Sequence, residues 1–144
     1  MNTRAALIKA ACERAMKRWP ISEDGTTWCN AGVNYVATEV GCTEFRGKVA
    51  NDIVAHILKS ADFAKVSPSA AQTLANDGKL VIAGIIDHPH GHVAVVMPGC
   101  EVFYSKKWRN NCPMVGNVGK NNGLMAASWA FNEEPLYFCW IENA

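Results

Sequence analysis

Leu80-Val81-Ile82-Ala83-Gly84-Ile85-Ile86, then Asp87-His88-Pro89-His90-Gly91, then His92-Val93-Ala94-Val95-Val96-Met97 is the stretch that decides the fold. Its first part is a near-continuous apolar run, the pattern of a strand buried in the middle of a sheet. The second part is turn chemistry, rich in Pro, Gly and Asp. The third returns as another apolar strand and is stopped by Pro98-Gly99. Two central antiparallel strands are therefore predicted, with a histidine opening the second.

Before this pair the chain reads as helices. Leu7, Ile8, Ala11, Cys12, Ala15, Met16 and Trp19 recur at helical spacing over residues 3–19, with Asn2 or Thr3 as cap and Pro20 beyond the end. Ser22 to Thr27 reads as a turn. A second helix is predicted over 29–40, ended by Gly41, with Val33, Val36, Ala37 and Val40 on the stripe of Cys29. A third is expected over 48–60, and a short fourth over 68–76, opened by Ser67 and Pro68. After the central pair, short strands are expected at 101–104, 114–118 and 136–141, while periodicity leaves 124–131 open between strand and helix. Helices first and an antiparallel sheet second is an α+β layout, N-terminal helices packed on a central sheet, in one domain over 1–144.

Composition excludes several classes. With 144 residues, 49% apolar, 19% charged and a net charge of +1, the chain is globular and carries no signature of a nucleic-acid binder. No stretch approaches the roughly 18 apolar residues of a membrane span. Lys9, Glu13, Arg14, Lys17 and Arg18 interrupt the apolar N-terminal stretch, so no secretory core is present and synthesis in the cytoplasm without a signal peptide is expected. A monomer is expected.

Cys29 is the residue whose setting suggests chemistry. It stands between turn residues and an apolar helical stripe, at a helix head, where unpaired N–H groups favour a thiolate and an oxyanion. His92 opens an apolar strand, where an imidazole has little structural reason to be, and in alternation it shares a face with Ala94 and Val96. If that face meets the Cys29 helix, a thiol and its base come together. The bland reading is an inert buried cysteine and a satisfied core histidine. Among the remaining cysteines Cys12, Cys42, Cys100, Cys112 and Cys139, a bridge from Cys12 to Cys139 is one reading and buried thiols the other. His88, His90 and His92 form His-x-His-x-His, a possible zinc set, although Pro89 and Gly91 break the strand that would align them.

Thr27-Trp28-Cys29-Asn30-Ala31-Gly32-Val33 with Gly41 and Ala50-Asn51-Asp52 resembles the nucleophile helix and following helix of NlpC-type peptidoglycan hydrolases, which are papain-like. Leu80 to Gly84, Gly91 to Val96, Val118-Gly119, Gly123-Leu124 and Trp129 are similar to type VI secretion amidase effectors, and related modules occur as phage cell-wall lysins, or endolysins. The resemblance implies a cysteine peptidase or amidase that cuts stem-peptide amides, with D-glutamate–diaminopimelate as the typical bond, through an acyl-enzyme and with no metal or organic cofactor. Cys29 would be nucleophile and His92 base. The family's Asp-Cys-Ser-Gly-Phe stands here as Trp28-Cys29-Asn30-Ala31-Gly32, without the Asp and the Ser.

Asn117, among glycines on a later strand, is the chosen orienter of the imidazole, with Asn121, Ser128 or a backbone carbonyl as alternatives. Trp28, Asn30 and His90 are candidates to meet substrate. Asn51-Asp52 reads as a brace for the third helix, and Lys106 to Arg109 as a basic turn. Peptidoglycan is the implied partner, reached in the periplasm or cell wall after delivery, with delivery machinery or an immunity protein as further partners. Two alternatives stand beside this reading: a zinc hydrolase using His88, His90 and His92, and a non-catalytic wall-binding module on the same fold.

Overall fold

A computed structural model describes residues 1–21 and 28–142, so the turn expected at Ser22 to Thr27 lies outside the described residues. The central pair forms as read. Strands β2 (Val81–Ile85) and β3 (His92–Val96) run antiparallel, with Ile82 opposite Val95, Gly84 opposite Val93 and Ile85 opposite His92. Around them lie β1 (Phe63–Val66), β6 (Met114–Asn117), β7 (Gly123–Ala126) and β8 (Leu136–Trp140), in the order β1-β8-β2-β3-β6-β7, all antiparallel. A separate hairpin joins β4 (Phe103–Ser105) to β5 (Asn110–Cys112) through the basic turn.

Both faces of the sheet are covered, which is why its middle strands are apolar without a break. Ile82, Val93, Val95 and Phe138 pack on one face against helices α1 (Thr3–Arg18), α2 (Cys29–Glu39) and α3 (Ala50–Lys59). Val81, Ala83, Ala94, Val96, Val115 and Tyr137 pack on the other, against α4 (Pro68–Asn76) and α5 (Ala127–Ala130). Buried Gln72 of α4 ties this second layer together, donating to Met97 O at 2.9 Å and accepting from Met114 N at 2.9 Å.

Local chemistry sets the helix ends. Asn2 Oδ1 accepts from Ala5 N at the head of α1, and Ser67 Oγ from Ala70 N at the head of α4. After α2, Gly41 adopts φ +90°, so that its N–H reaches Thr38 O and the Cys42 N–H reaches Ala37 O, closing the helix in a Schellman turn.

Three expectations change. The undecided stretch 124–131 is both kinds of element: β7 pairs with β6 as far as Ala126, and Ala127 then begins α5. The strands β1 and β5 were not foreseen. The Cys12–Cys139 bridge is corrected: Cys12 lies in the core under α1 and α2 and Cys139 in the core on the far face, so the sheet stands between two separate thiols. Burial pushes the Cys12 thiol up to about 12, with a smaller push from Glu13, which makes it inert packing.

Candidate active site

Cys29 is the first residue of α2 and is buried. Its N-cap, Trp28, makes no side-chain hydrogen bond to the helix, and the first helical bond runs from Gly32 N to Trp28 O at 3.0 Å. The leading N–H groups of α2 are therefore not taken by the cap side chain, the electrostatic setting that favours a thiolate or an oxyanion. Cys29 borders a small apolar cavity shared with Cys12, Val33, Val93 and Val118.

His92 is the first residue of β3, and its face is corrected by the structure. Val93 and Val95, not Ala94 and Val96, share a core with the Cys29 helix. The alternation was sound, but the assignment of faces could not come from it, because both faces are apolar. His92 stands at the end of the sheet, where the segment after β6 links it to α2. Gly32, one turn below Cys29, is so close to that segment that an added Cβ would stand 2.9 Å from Val118 Cγ2. The next residue, Gly119, lies against the imidazole, and a Cβ there would be 3.1 Å from His92 Cε1.

Asn117, at the end of β6 and only 3% exposed, is brought to His92, with Oδ1 2.6 Å from Nε2. Its Nδ2 donates to Asn121 O at 2.6 Å. That second bond fixes which way the amide points, so an acceptor faces the ring. An acceptor requires Nε2 to carry the proton, and the neutral imidazole then keeps its lone pair on Nδ1. Burial lowers the His92 pKa from its ordinary range, and the bond to Asn117 opposes that shift. Phe131 backs the ring at 4.7 Å between centroids. Lys107 of the basic turn donates to Ser128 O and Phe131 O at 3.0 and 3.1 Å, so it supports α5.

The other candidates separate. Asn121 contributes a backbone carbonyl, and Ser128 is engaged with Cys112 at 3.8 Å rather than with His92. Asn30 donates its amide to Lys48 O at 3.1 Å, which commits it to the chain entering α3. Trp28 is 37% exposed beside Cys29. His88 and His90 are exposed in the β2–β3 turn, away from the part-buried His92, and among the described residues no group of three or more His, Cys, Asp or Glu converges as a metal site. Phe131 and Gly119 are parts of the His92 setting that sequence reasoning missed, since nothing local marks a contact made across the sheet.

No family model matches the chain. Over 110 residues it is 36% identical to the peptidoglycan amidase Tse1 of Pseudomonas aeruginosa. This chain is a relative of Tse1. The match covers 72% of the chain and 66% of Tse1, just under two thirds of that protein's length. Kinship with Tse1 and the helices-on-sheet architecture bear out the resemblance to NlpC-type hydrolases and the papain-like α+β fold. Among the described residues, no helix is long and apolar enough to cross a membrane.

Proposed function

We propose that the chain is a peptidoglycan hydrolase, a cysteine amidase in a single catalytic domain that cuts an amide of the stem peptide. The observation that carries the reading is the pair His92–Asn117 at the sheet end beside a cysteine-headed helix, in a relative of a protein named as a peptidoglycan amidase. In this mechanism Nδ1 of neutral His92 takes the proton from Cys29 Sγ. The thiolate adds to the amide carbonyl, and the oxyanion is held by N–H groups at the head of α2. The imidazolium gives its proton to the leaving amine, leaving a thioester. A water, deprotonated by Nδ1, then splits the thioester into a free carboxylate and the thiol. Asn117 keeps the tautomer and the ring orientation throughout.

D-glutamate–diaminopimelate is the proposed bond, on the strength of the NlpC resemblance alone. The proposed setting is the periplasm or cell wall, reached by delivery as a phage lysin or an injected antibacterial effector. A holin gene next door would mark the first and an immunity gene the second.

The test is mass spectrometry of muropeptides released from purified sacculi. The wild type is expected to release soluble fragments whose new ends name the bond, and Cys29→Ala and His92→Ala are expected to release none. His88→Ala and His90→Ala should keep most activity, also after exhaustive chelation. Full lysis by Cys29→Ala would remove the mechanism, and equal dependence on all three histidines would favour a zinc hydrolase.

A further inference from the structure

Outside the reacting groups, one element touches the neighbours of both. Asn30, immediately after Cys29, donates to Lys48 O at 3.1 Å, two residues before α3 begins. Three residues on, Asn51 in the first turn of α3 clasps the β2–β3 turn with both ends of its amide. Its Nδ2 donates to Asp87 O at 2.8 Å, and its Oδ1 accepts from Asp87 N at 3.1 Å. Gly91, the residue before His92, lies directly beneath that amide. Any Cβ at Gly91 would overlap Asn51 Oδ1 and Ile85 O, with Asn51 Cγ at 3.2 Å. The body of α3 is also seated on the hairpin itself. Gly84, opposite Val93, leaves room for Val54, whose Cγ2 would be 2.7 Å from a Cβ at that position.

We infer that the head of α3 is the brace that sets the Cys29–His92 separation, and that Asn51 is its positioning residue. This inference rests on the hydrolase reading above. Asn51 commits one N–H and one lone pair of its amide to the Asp87 backbone, which ties its side chain to the β2–β3 turn. It holds the Asp87 backbone at the start of the turn and packs on Gly91, one residue before the base, in a clasp that a side chain on Gly91 would exclude. A reacting pair tolerates little error: a displacement of about 1 Å can cost about 100-fold in rate. Two amides, Asn30 on one side and Asn51 on the other, tie the neighbours of the pair to the chain at and just before the head of α3.

The experiment compares three variants of the full chain. Asn51→Ala removes the clasp. Asn51→Asp keeps the acceptor for the Asp87 N–H and loses the donor. His56→Ala breaks the 2.7 Å bond from His56 Nε2 to Glu44 Oε1 nearer the far end of α3 and leaves the clasp intact. Asn51→Ala is expected to lower kcat by about 10- to 100-fold with KM within about twofold, the split that marks lost alignment rather than lost binding. Asn51→Asp should fall between it and the wild type, and it serves as the test if the alanine variant does not fold. His56→Ala should lower the melting temperature yet hold kcat within about threefold of the wild type.

Nitrogen-15 spectra of the His92 ring give a second readout that needs no turnover. The Nε2–H tautomer should dominate in the wild type and in His56→Ala, and become mixed in Asn51→Ala. Unchanged kcat in Asn51→Ala, or an equal loss in His56→Ala, would overturn the brace. If the wild type hydrolyses nothing, the hydrolase reading falls, and the ring spectra alone decide the brace, with identical spectra rejecting it.

Discussion

Asn117 Oδ1 and His92 Nε2 face each other at 2.6 Å from two strands that are paired elsewhere along their length. The acceptor is fixed because the other end of the same amide is held by Asn121 O, so the ring is given one tautomer before any substrate arrives. Pre-setting the ring in this way removes a rearrangement from the reaction path.

Replacing Asn117 should therefore separate orientation from chemistry. Asn117→Ala is expected to lower kcat on the order of 10–100-fold with KM within about twofold, and to cost about 1–3 kcal/mol by leaving the part-buried His92 Nε2–H without its acceptor. Asn117→Asp puts a negative charge beside the ring, which favours the imidazolium and should move the acid limb of kcat/KM to higher pH. Steady-state kinetics across pH with urea unfolding of both variants checks this. An unshifted limb in Asn117→Asp would contradict the pairing.

Stability should also follow the histidine. Burial lowers the folded-state pKa of His92 below the roughly 6.5 of an unfolded chain. Between those two values the unfolded chain binds a proton that the folded one resists, so stability rises with pH there. The contribution is complete above about pH 6.5 and is lost as pH falls toward the folded pKa. Urea unfolding free energies from pH 7.5 to pH 5, on the order of a standard buffer series, should therefore fall more for the wild type than for His92→Gln. Parallel curves would show that the imidazole is not held neutral by the fold. The acid limb of kcat/KM should likewise sit below about pH 6.5.

The contact between α2 and the segment after β6 can be tested by filling it. A methyl at Gly32 meets Val118 Cγ2 at 2.9 Å and Cβ at 3.2 Å. Overpacking of this kind costs about 1–3 kcal/mol, against about 1 kcal/mol gained from replacing glycine in a helix. Gly32→Ala is expected to be destabilised by up to about 2 kcal/mol, and Val118→Ala to recover part of that loss. A thermal-unfolding double-mutant cycle measures the coupling. Additive effects would mean that the two residues do not press on each other.

How much of this was legible depended on whether the signal was local. The helix α4 was read residue for residue, because Ser67 and Pro68 announce its start and Gly78 follows its end. The helix α2 was read to within one residue through Gly41. By contrast, β1 is four residues long with one clear polar position, and its partner β8 lies more than 70 residues away, so nothing nearby marks it. The face presented by His92 was illegible for a different reason: a sheet covered on both sides has two apolar faces, and alternation divides them without saying which helix lies where. Asn117 was singled out from its glycine-flanked strand, yet its bond to His92 spans 25 residues and needed the β3–β6 pairing to exist.

The placement of β8 between β1 and β2 has a consequence for biosynthesis. Residues 136–140 fill the slot next to a hairpin that is complete some 40 residues sooner along the chain. Until the ribosome has released them, β2 presents a bare edge and β1 has no strand to join. Closure of the sheet therefore waits on β8, however early the β2–β3 hairpin has paired.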